Sequence, residues 1–371
     1  MSKKIGFFKI GNFSHTNNSV IEVIKNEFPS FELEILDISK DFANIKEVAN
    51  LLSVGKNYGI DIILKRKQIF SCLTRTPHIF KKVKRCIHQK INPKEYIFTF
   101  QTQSLFDASL PEVPHFVYTD HTHLANLNYP DFSSKNLYSK SWIKLEKTIY
   151  KNARINFTMS NNITKSIIEQ YSCSPDKVIC VYAGINANNN HFENQDFQKY
   201  TKKNILFVGV DWQRKGGPQL VEAFKNVLKF HPQAQLTIVG CSPKLDIPNC
   251  HVVGRVPLSE VSKYFREASI FCLPTRLEPF GIVFLEAMSY KLPIVASNIG
   301  AIPDFISDGE NGYLVETDNV DKLAEKLIYF LNNPNKCQEF GNKGFEIFLK
   351  RYNWQVVGKK IRENIEPLIT K

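Results

Sequence analysis

The sequence predicts an α/β protein made of two doubly wound domains, each a parallel sheet, facing each other across a cleft. Three observations point there. Short apolar runs alternate with amphipathic helices along the chain. The alternation stops in a polar, asparagine-rich stretch at 183–203 and restarts after it. The 371 residues are enough for two domains, each with its own core. With 43% hydrophobic and 23% charged residues, the chain is neither disordered nor collagenous.

In the first half, 5–10 reads as the opening strand, 19–27 as a helix and 31–38 as the second strand. Short apolar strands follow at 96–100 and 114–118. Residues 139–152 form a helix by the spacing of Trp142, Leu145 and Ile149. The run 154–160 is a strand, Ser160-Asn161-Asn162 offers helix N-cap residues, and 178–182 closes this half. The stretch 183–203 is expected to be the interdomain linker. Beyond it come strands at 204–209, 235–240, 250–253, 269–273 and 293–296. Helices at 216–230, 258–267, 281–290 and 320–331 lie among and after them. An amphipathic tail helix over 353–371 carries Trp354, Val357, Ile361 and Ile365. The expected domains are 1–185 and 186–352, with the tail returning to the first.

No apolar run approaches the 18 residues a transmembrane helix needs. Lys9 and Gly11 interrupt the basic, apolar start, so the expectation is a soluble, cytoplasmic protein rather than an exported one. The eight cysteines never fall at Cys-x-x-Cys spacing; reduced thiols are expected, with Cys272 a small buried hydrophobe. There is no G-x-G-x-x-G, Walker A, H-E-x-x-H or G-x-S-x-G motif, and no Asp-x-Asp clamp. A phosphorylated ligand would therefore be held without a metal or other cofactor.

The net charge of +12 is concentrated. Residues 1–185 hold 25 basic and 16 acidic residues, and residues 186–371 hold 23 and 20. Residues 61–95 alone carry ten Lys/Arg against Asp61 and Glu95, interleaved with apolar side chains. A solvated face is the plain reading of this segment. An anionic membrane surface is the functional alternative, which would make the protein peripheral at the inner face of a membrane. Nucleic acid is the weakest reading, because no recognition module accompanies the charge, and none is expected as a partner.

The candidate site lies in the second half. A strand ends at Leu273, a loop carries Glu278, Gly281 permits close backbone approach, and a helix opens at Ile282. Ligands of open parallel sheets sit at the carboxyl ends of strands. A helix N-terminus there suits a phosphate. Glu278 and Glu286 can both face that crevice, and a carboxylate accepts well from a vicinal diol. The matching loop, Phe207-Val-Gly209-Val-Asp-Trp-Gln-Arg214-Lys215-Gly216-Gly217, supplies cations for a departing diphosphate. Both glutamates also have a plainer reading as helix-start carboxylates favoured by the dipole, and Lys215 as a surface lysine. Trp212 and Phe280 read as packing residues, Phe280 also lying where a ligand would meet the loop.

These motifs resemble those of family 4 retaining glycosyltransferases. Glu278-Pro-Phe-Gly leads to Glu286-Ala-Met, then to Leu292-Pro-Ile-Val-Ala-Ser and Asp308-Gly-Glu-Asn-Gly-Tyr-Leu-Val, in the family's order. The resemblance is specific over 204–352 and mostly architectural over 1–200. It implies the GT-B fold, two Rossmann-like domains, with the acceptor on the 1–185 side and the nucleotide-sugar donor on the other. It also implies roles. Glu286 would hold the nucleotide ribose, Glu278 would lie near the donor sugar, and Lys215 would bind the diphosphate. Gly209, Phe280, Gly281 and Ile282 would line the donor, with Arg214 as a second phosphate contact. His121, in Val117-Tyr-Thr-Asp-His-Thr, would stand near the sugar and acceptor, with His123 its competitor.

The implied activity is retaining, metal-independent transfer from a nucleotide-diphosphate sugar to a glycan or lipid-linked hydroxyl. A GT-B epimerase and a catalytically silent scaffold are the alternatives. The sequence departs from the family pattern at Val210, where many members have arginine. It departs again at Gly300-Ala-Ile-Pro-Asp304, and after the first strand, where Gly11 and Asn12 replace paired glycines.

Overall fold

The computed structural model describes residues 3–13, 16–42, 45–186 and 197–369. The chain divides into two units. The first takes Met1–Asn128, Phe132–Tyr182 and Trp354–Lys371; the second takes Tyr129–Asp131 and Ala183–Asn353.

In the first unit, β1 (Lys4–Lys9), β2 (Glu32–Asp37), β3 (Tyr96–Thr102), β4 (His115–Thr119), β5 (Ile155–Thr158) and β6 (Val178–Cys180) form one parallel sheet in the order β2-β1-β3-β4-β5-β6. The inner strands β3, β4 and β5 are almost wholly buried because helices cover both faces, while the edge strand β2 stays partly exposed. Phe7 on β1 stacks on Phe100 of β3 at 5.8 Å, and Phe100 and Phe116 both stack on Phe157 of β5. Such pairs add roughly 0.5–1.5 kcal/mol each beyond their area burial. The tail helix Trp354–Ile369 packs on Thr16–Glu27, with Gly358 against Val23 and Glu27.

Three helices of this unit lie between the second and third strands, where no element is assigned above: Val48–Ile63, Ile69–Leu73 and Pro77–Lys90. The last buries Ile79, Phe80, Val83 and Ile87, and Thr76 caps it by accepting from the Ile79 N–H at 3.2 Å. Much of the charge of 61–95 is neutralised along this helix. Lys82 pairs with Glu47 at 2.7 Å, Lys84 with Asp107 at 2.5 Å, and Lys90 with Asp41.

The second unit holds β7 (Asn204–Val208), β8 (Gln235–Val239), β9 (Cys250–Gly254), β10 (Ile270–Leu273), β11 (Ile294–Ser297) and β12 (Gly312–Val315), again all parallel, in the order β12-β11-β10-β7-β8-β9. Counted from β7, this is the 3-2-1-4-5-6 order of the dinucleotide-binding fold, and its switch point falls between β7 and β10.

The linker expected over 183–203 is corrected at its end. Residues 187–196 lie outside the described residues, but Gln198–Thr201 is a short helix of the second unit. Lys199 and Tyr200 are buried there. The Lys199 Nζ donates to the Tyr290 carbonyl at 2.6 Å, and the Tyr200 hydroxyl to that of Lys291 at 2.7 Å. All eight cysteines are free thiols. No helix among the described residues is long and apolar enough to cross a membrane.

Candidate functional site

The two loops that flank the switch point are those the motifs single out: 209–216 follows β7 and 274–281 follows β10. Their meeting is built on backbone shape. Gly216 has φ +74°, and a Cβ there would lie 1.9 Å from the Pro274 carbonyl oxygen, so no other residue fits without moving one loop. The Arg276 N–H donates to the Arg214 carbonyl at 2.8 Å, and the Thr275 hydroxyl donates to the same oxygen at 3.1 Å.

Lys215 and Glu278 come together as a buried ion pair, the Lys215 Nζ donating to Glu278 Oε2, with 8% and 4% of each residue exposed. Two charges survive such burial because each neutralises the other. Arg214 turns to the same loop: its guanidinium donates to the Leu277 carbonyl at 2.7 Å and approaches Asp211 at 3.4 Å. In this structure Arg214 braces the Glu278 loop. Trp212 packs edge-on against Phe207 and lies under Gly217.

Gly281, φ +98°, opens the helix Ile282–Ser289, and a Cβ there would press on Phe284 and the Glu278 side chain. Phe280 is buried with its ring edge against Phe305 at 5.3 Å. Glu286, one turn into the helix, keeps part of its surface exposed and makes no side-chain hydrogen bond or ion pair among the described residues. Its surroundings push its carboxyl up to about 7 by desolvation. A half-buried acceptor without a partner beside a helix N-terminus is suited to a ligand that brings hydroxyl donors.

Tyr129 and Arg276 carry no signal in the sequence. The Tyr129 hydroxyl donates to the Glu278 carbonyl at 2.9 Å. The Arg276 guanidinium forks onto Asp131 at 2.5 and 2.7 Å and reaches Asp318 as well. Both hold the loop that carries Glu278, through partners about 145 residues away in sequence for Asp131 and Tyr129.

His121 lies in the first unit, on the loop after β4. Its backbone N–H donates to the Thr119 hydroxyl at 3.3 Å, while that hydroxyl donates to the His121 carbonyl at 2.8 Å. Burial lowers its imidazole below the ordinary histidine value, which favours the neutral ring. His123 is a different kind of residue. Its Nε2 accepts from the Tyr138 N–H at 2.7 Å, its ring packs on Tyr138 at 4.6 Å, and burial pushes it down to about 3.

Beneath this loop sits Glu146, a buried carboxylate absent from the motif reading. It accepts from the His123 N–H at 3.0 Å, from the Tyr150 hydroxyl at 3.4 Å and from the Tyr171 hydroxyl, which in turn accepts from the Leu124 N–H at 3.0 Å. Among the described residues no group of His, Cys, Asp and Glu is arranged to hold a metal ion.

The chain is similar to known proteins in sequence and in fold. The sequence model of the family described as "Glycosyl transferases group 1" matches residues 189–347. The phosphatidyl-myo-inositol mannosyltransferase of Mycobacterium leprae is 32% identical over 178 residues, 45% of this chain and 47% of that protein. The chain spans 44–65% of the length of four curated relatives that it matches. Among solved structures, a glycosyltransferase from Rickettsia africae superposes with a TM-score of 0.70 at 16% identity, covering all of both chains. The Anabaena protein HepE, solved with UDP and glucose, superposes with a TM-score of 0.64 at 15% identity, over 98% of this chain and 99% of that one. These likenesses give the fold, GT-B. Residues 189–347 thus resemble the group 1 glycosyl transferases in sequence, and the whole chain resembles GT-B proteins in fold.

Proposed function

We propose that the protein is a retaining glycosyltransferase that moves a sugar from a nucleotide diphosphate to a hydroxyl acceptor, a glycan or a lipid-linked saccharide, without a metal. The observation that carries this reading is the Lys215–Glu278 pair, set at the carboxyl ends of the two strands that flank the switch point. The nucleotide complex of HepE, a structural neighbour, supports a sugar nucleotide as the donor.

In this reading the second unit is the donor side. Glu286 accepts from the ribose hydroxyls, while Lys215 and the free N–H groups at Ile282 receive the diphosphate. Gly209 and Gly281 let the donor lie against the backbone, where Phe280 also contributes main chain, its ring being engaged with Phe305. Glu278 holds Lys215 in place and lies beside the sugar. Arg214 acts through the loop that it braces.

The acceptor oxygen bonds to the anomeric carbon on the face from which the diphosphate departs. The bond to the diphosphate oxygen breaks, and that oxygen takes the acceptor's proton. Charge develops on the diphosphate, where the cation and the helix dipole stabilise it. His121, from the acceptor-side unit, serves as a neutral hydrogen-bonding group to the sugar.

The test uses UDP-, GDP- and ADP-sugars, scored by thermal shift and by release of sugar with and without acceptor. The reading expects one donor class to raise Tm, and His121→Ala to cut turnover while sparing donor affinity. Product formed at full rate with no acceptor would favour an epimerase, and no shift with any donor would favour a silent scaffold.

A further inference from the structure

The helix Val48–Ile63 is packed inside out. An ordinary surface helix buries its apolar stripe and shows its polar face to water. Here the buried face carries Asn50, which is wholly buried. Its amide donates to the Leu73 carbonyl at 2.9 Å, and its oxygen accepts from the Thr76 hydroxyl at 2.5 Å. Val54 and Tyr58 continue that face at helical spacing, and the Tyr58 hydroxyl donates to the Arg75 carbonyl.

The opposite face is aliphatic. Val48, Leu52, Ile60 and Ile63 are 70–79% exposed, and the chain runs on to the exposed Leu64, Ile69 and Phe70. Half of the large apolar side chains exposed among the described residues fall within 48–70. A patch of that kind marks an interaction surface.

Cations flank and interrupt it. Lys46 and Lys65 stand at its two ends and Lys56 between Leu52 and Ile60; all three are exposed without an ion-pair partner among the described residues, and Lys46 lies over the Phe70 ring at 5.5 Å. Arg66 is exposed beside Asp61 at 3.7 Å. A second copy of the chain on this face would bring the same cations against each other. An anionic bilayer offers phosphates to the cations and an acyl boundary to the aliphatic face in one surface.

We propose that the face from Lys46 to Phe70 seats the protein on an anionic lipid bilayer, with the aliphatic row of Val48–Ile63 entering the boundary between headgroups and acyl chains. The membrane surface read from the charge of 61–95 thus narrows to 46–70, because the helix Pro77–Lys90 has three of its lysines in ion pairs. The proposal deepens the functional reading, and rests on it for a lipid-presented acceptor.

The experiment is sedimentation of the full chain with vesicles of phosphatidylcholine alone, or of phosphatidylcholine with phosphatidylglycerol. Wild type is expected to pellet with the anionic vesicles only. Ile60→Asp with Ile63→Asp is expected to lower that binding roughly tenfold or more, with unchanged circular dichroism. Lys56→Glu with Lys65→Glu is expected to weaken it in a salt-dependent manner. Equal pelleting with both vesicles, pelleting with neither, wild-type binding by the double aspartate variant, or a dimer that this variant splits would overturn the proposal. The donor thermal shift is read on the same samples. Vesicle binding without any donor shift defeats the glycosyl-transfer reading, while a donor shift without vesicle binding defeats only the membrane face.

Discussion

Replacing Glu286 by Gln keeps the size of the side chain and one acceptor oxygen while deleting its ionisation. Desolvation puts the Glu286 carboxyl at about 7 in the free protein, so the acid and carboxylate forms coexist near neutrality. If ribose hydroxyls donate to the carboxylate, as proposed, and bind the acid less well, donor affinity should fall as the pH drops through that value. If only the carboxylate binds, the apparent Kd rises by a factor of about 11 at pH 6 and about 1.1 at pH 8. The ratio is about tenfold, or about 1.4 kcal/mol. Isothermal titration with a nucleotide sugar is the appropriate assay, because its diphosphate diester has no ionisation in that range to confuse the result. Glu286→Gln should bind more weakly at pH 8 and show a flat profile down to pH 6. A variant that keeps the wild-type slope would refute the assignment of the carboxylate to the ribose.

The buried pair allows a second measurement. Glu278→Ala strands the Lys215 ammonium and should cost about 3 kcal/mol in urea unfolding, and adding Lys215→Met should recover part of that loss; additive losses would contradict the coupling. Glu146 gives a pH signature of stability. Its carboxyl rises from an ordinary 4.5 to about 7 on folding, with burial the chief cause, so the folded state holds the proton more tightly. That contribution is full below about pH 4.5 and is lost as the pH climbs to about 7, a change of roughly 3 kcal/mol. Glu146→Gln should flatten the Tm profile over that window, and parallel profiles would remove the assignment. Activity should survive EDTA; complete loss on chelation would contradict transfer without a metal.

The fold was legible wherever pattern and packing agreed. Strands such as Ile270–Leu273 are short apolar runs bounded by turn residues, and their parallel order follows from the helices between them. The loops 209–216 and 274–281 were legible because glycines, glutamates and a lysine fall at fixed spacing. What escaped had a physical reason each time. Val48–Ile63 hides its polar Asn50 and shows its isoleucines, so its periodicity gives no ordinary amphipathic signal. Pro334–Arg351 contains Gly341 and Gly344, poor helix formers held by tertiary packing. Tyr129 and Asp131 brace the Glu278 loop from far away in sequence, and no local pattern records such a pairing. The state of the His123 ring is likewise invisible in the sequence. Only the structure shows that the His123 ring nitrogen is taken by the Tyr138 N–H.

The tail helix that lies on Thr16–Glu27 has a consequence for biosynthesis. Residues 1–182 leave the ribosome first, yet the unit they form gains its last helix only when Trp354–Ile369 has been made. Until then Val23 and Glu27 lack the cover of that helix, while the intervening second unit has all its strands and can close on its own. The half of the protein that is translated first is therefore the half that finishes folding last.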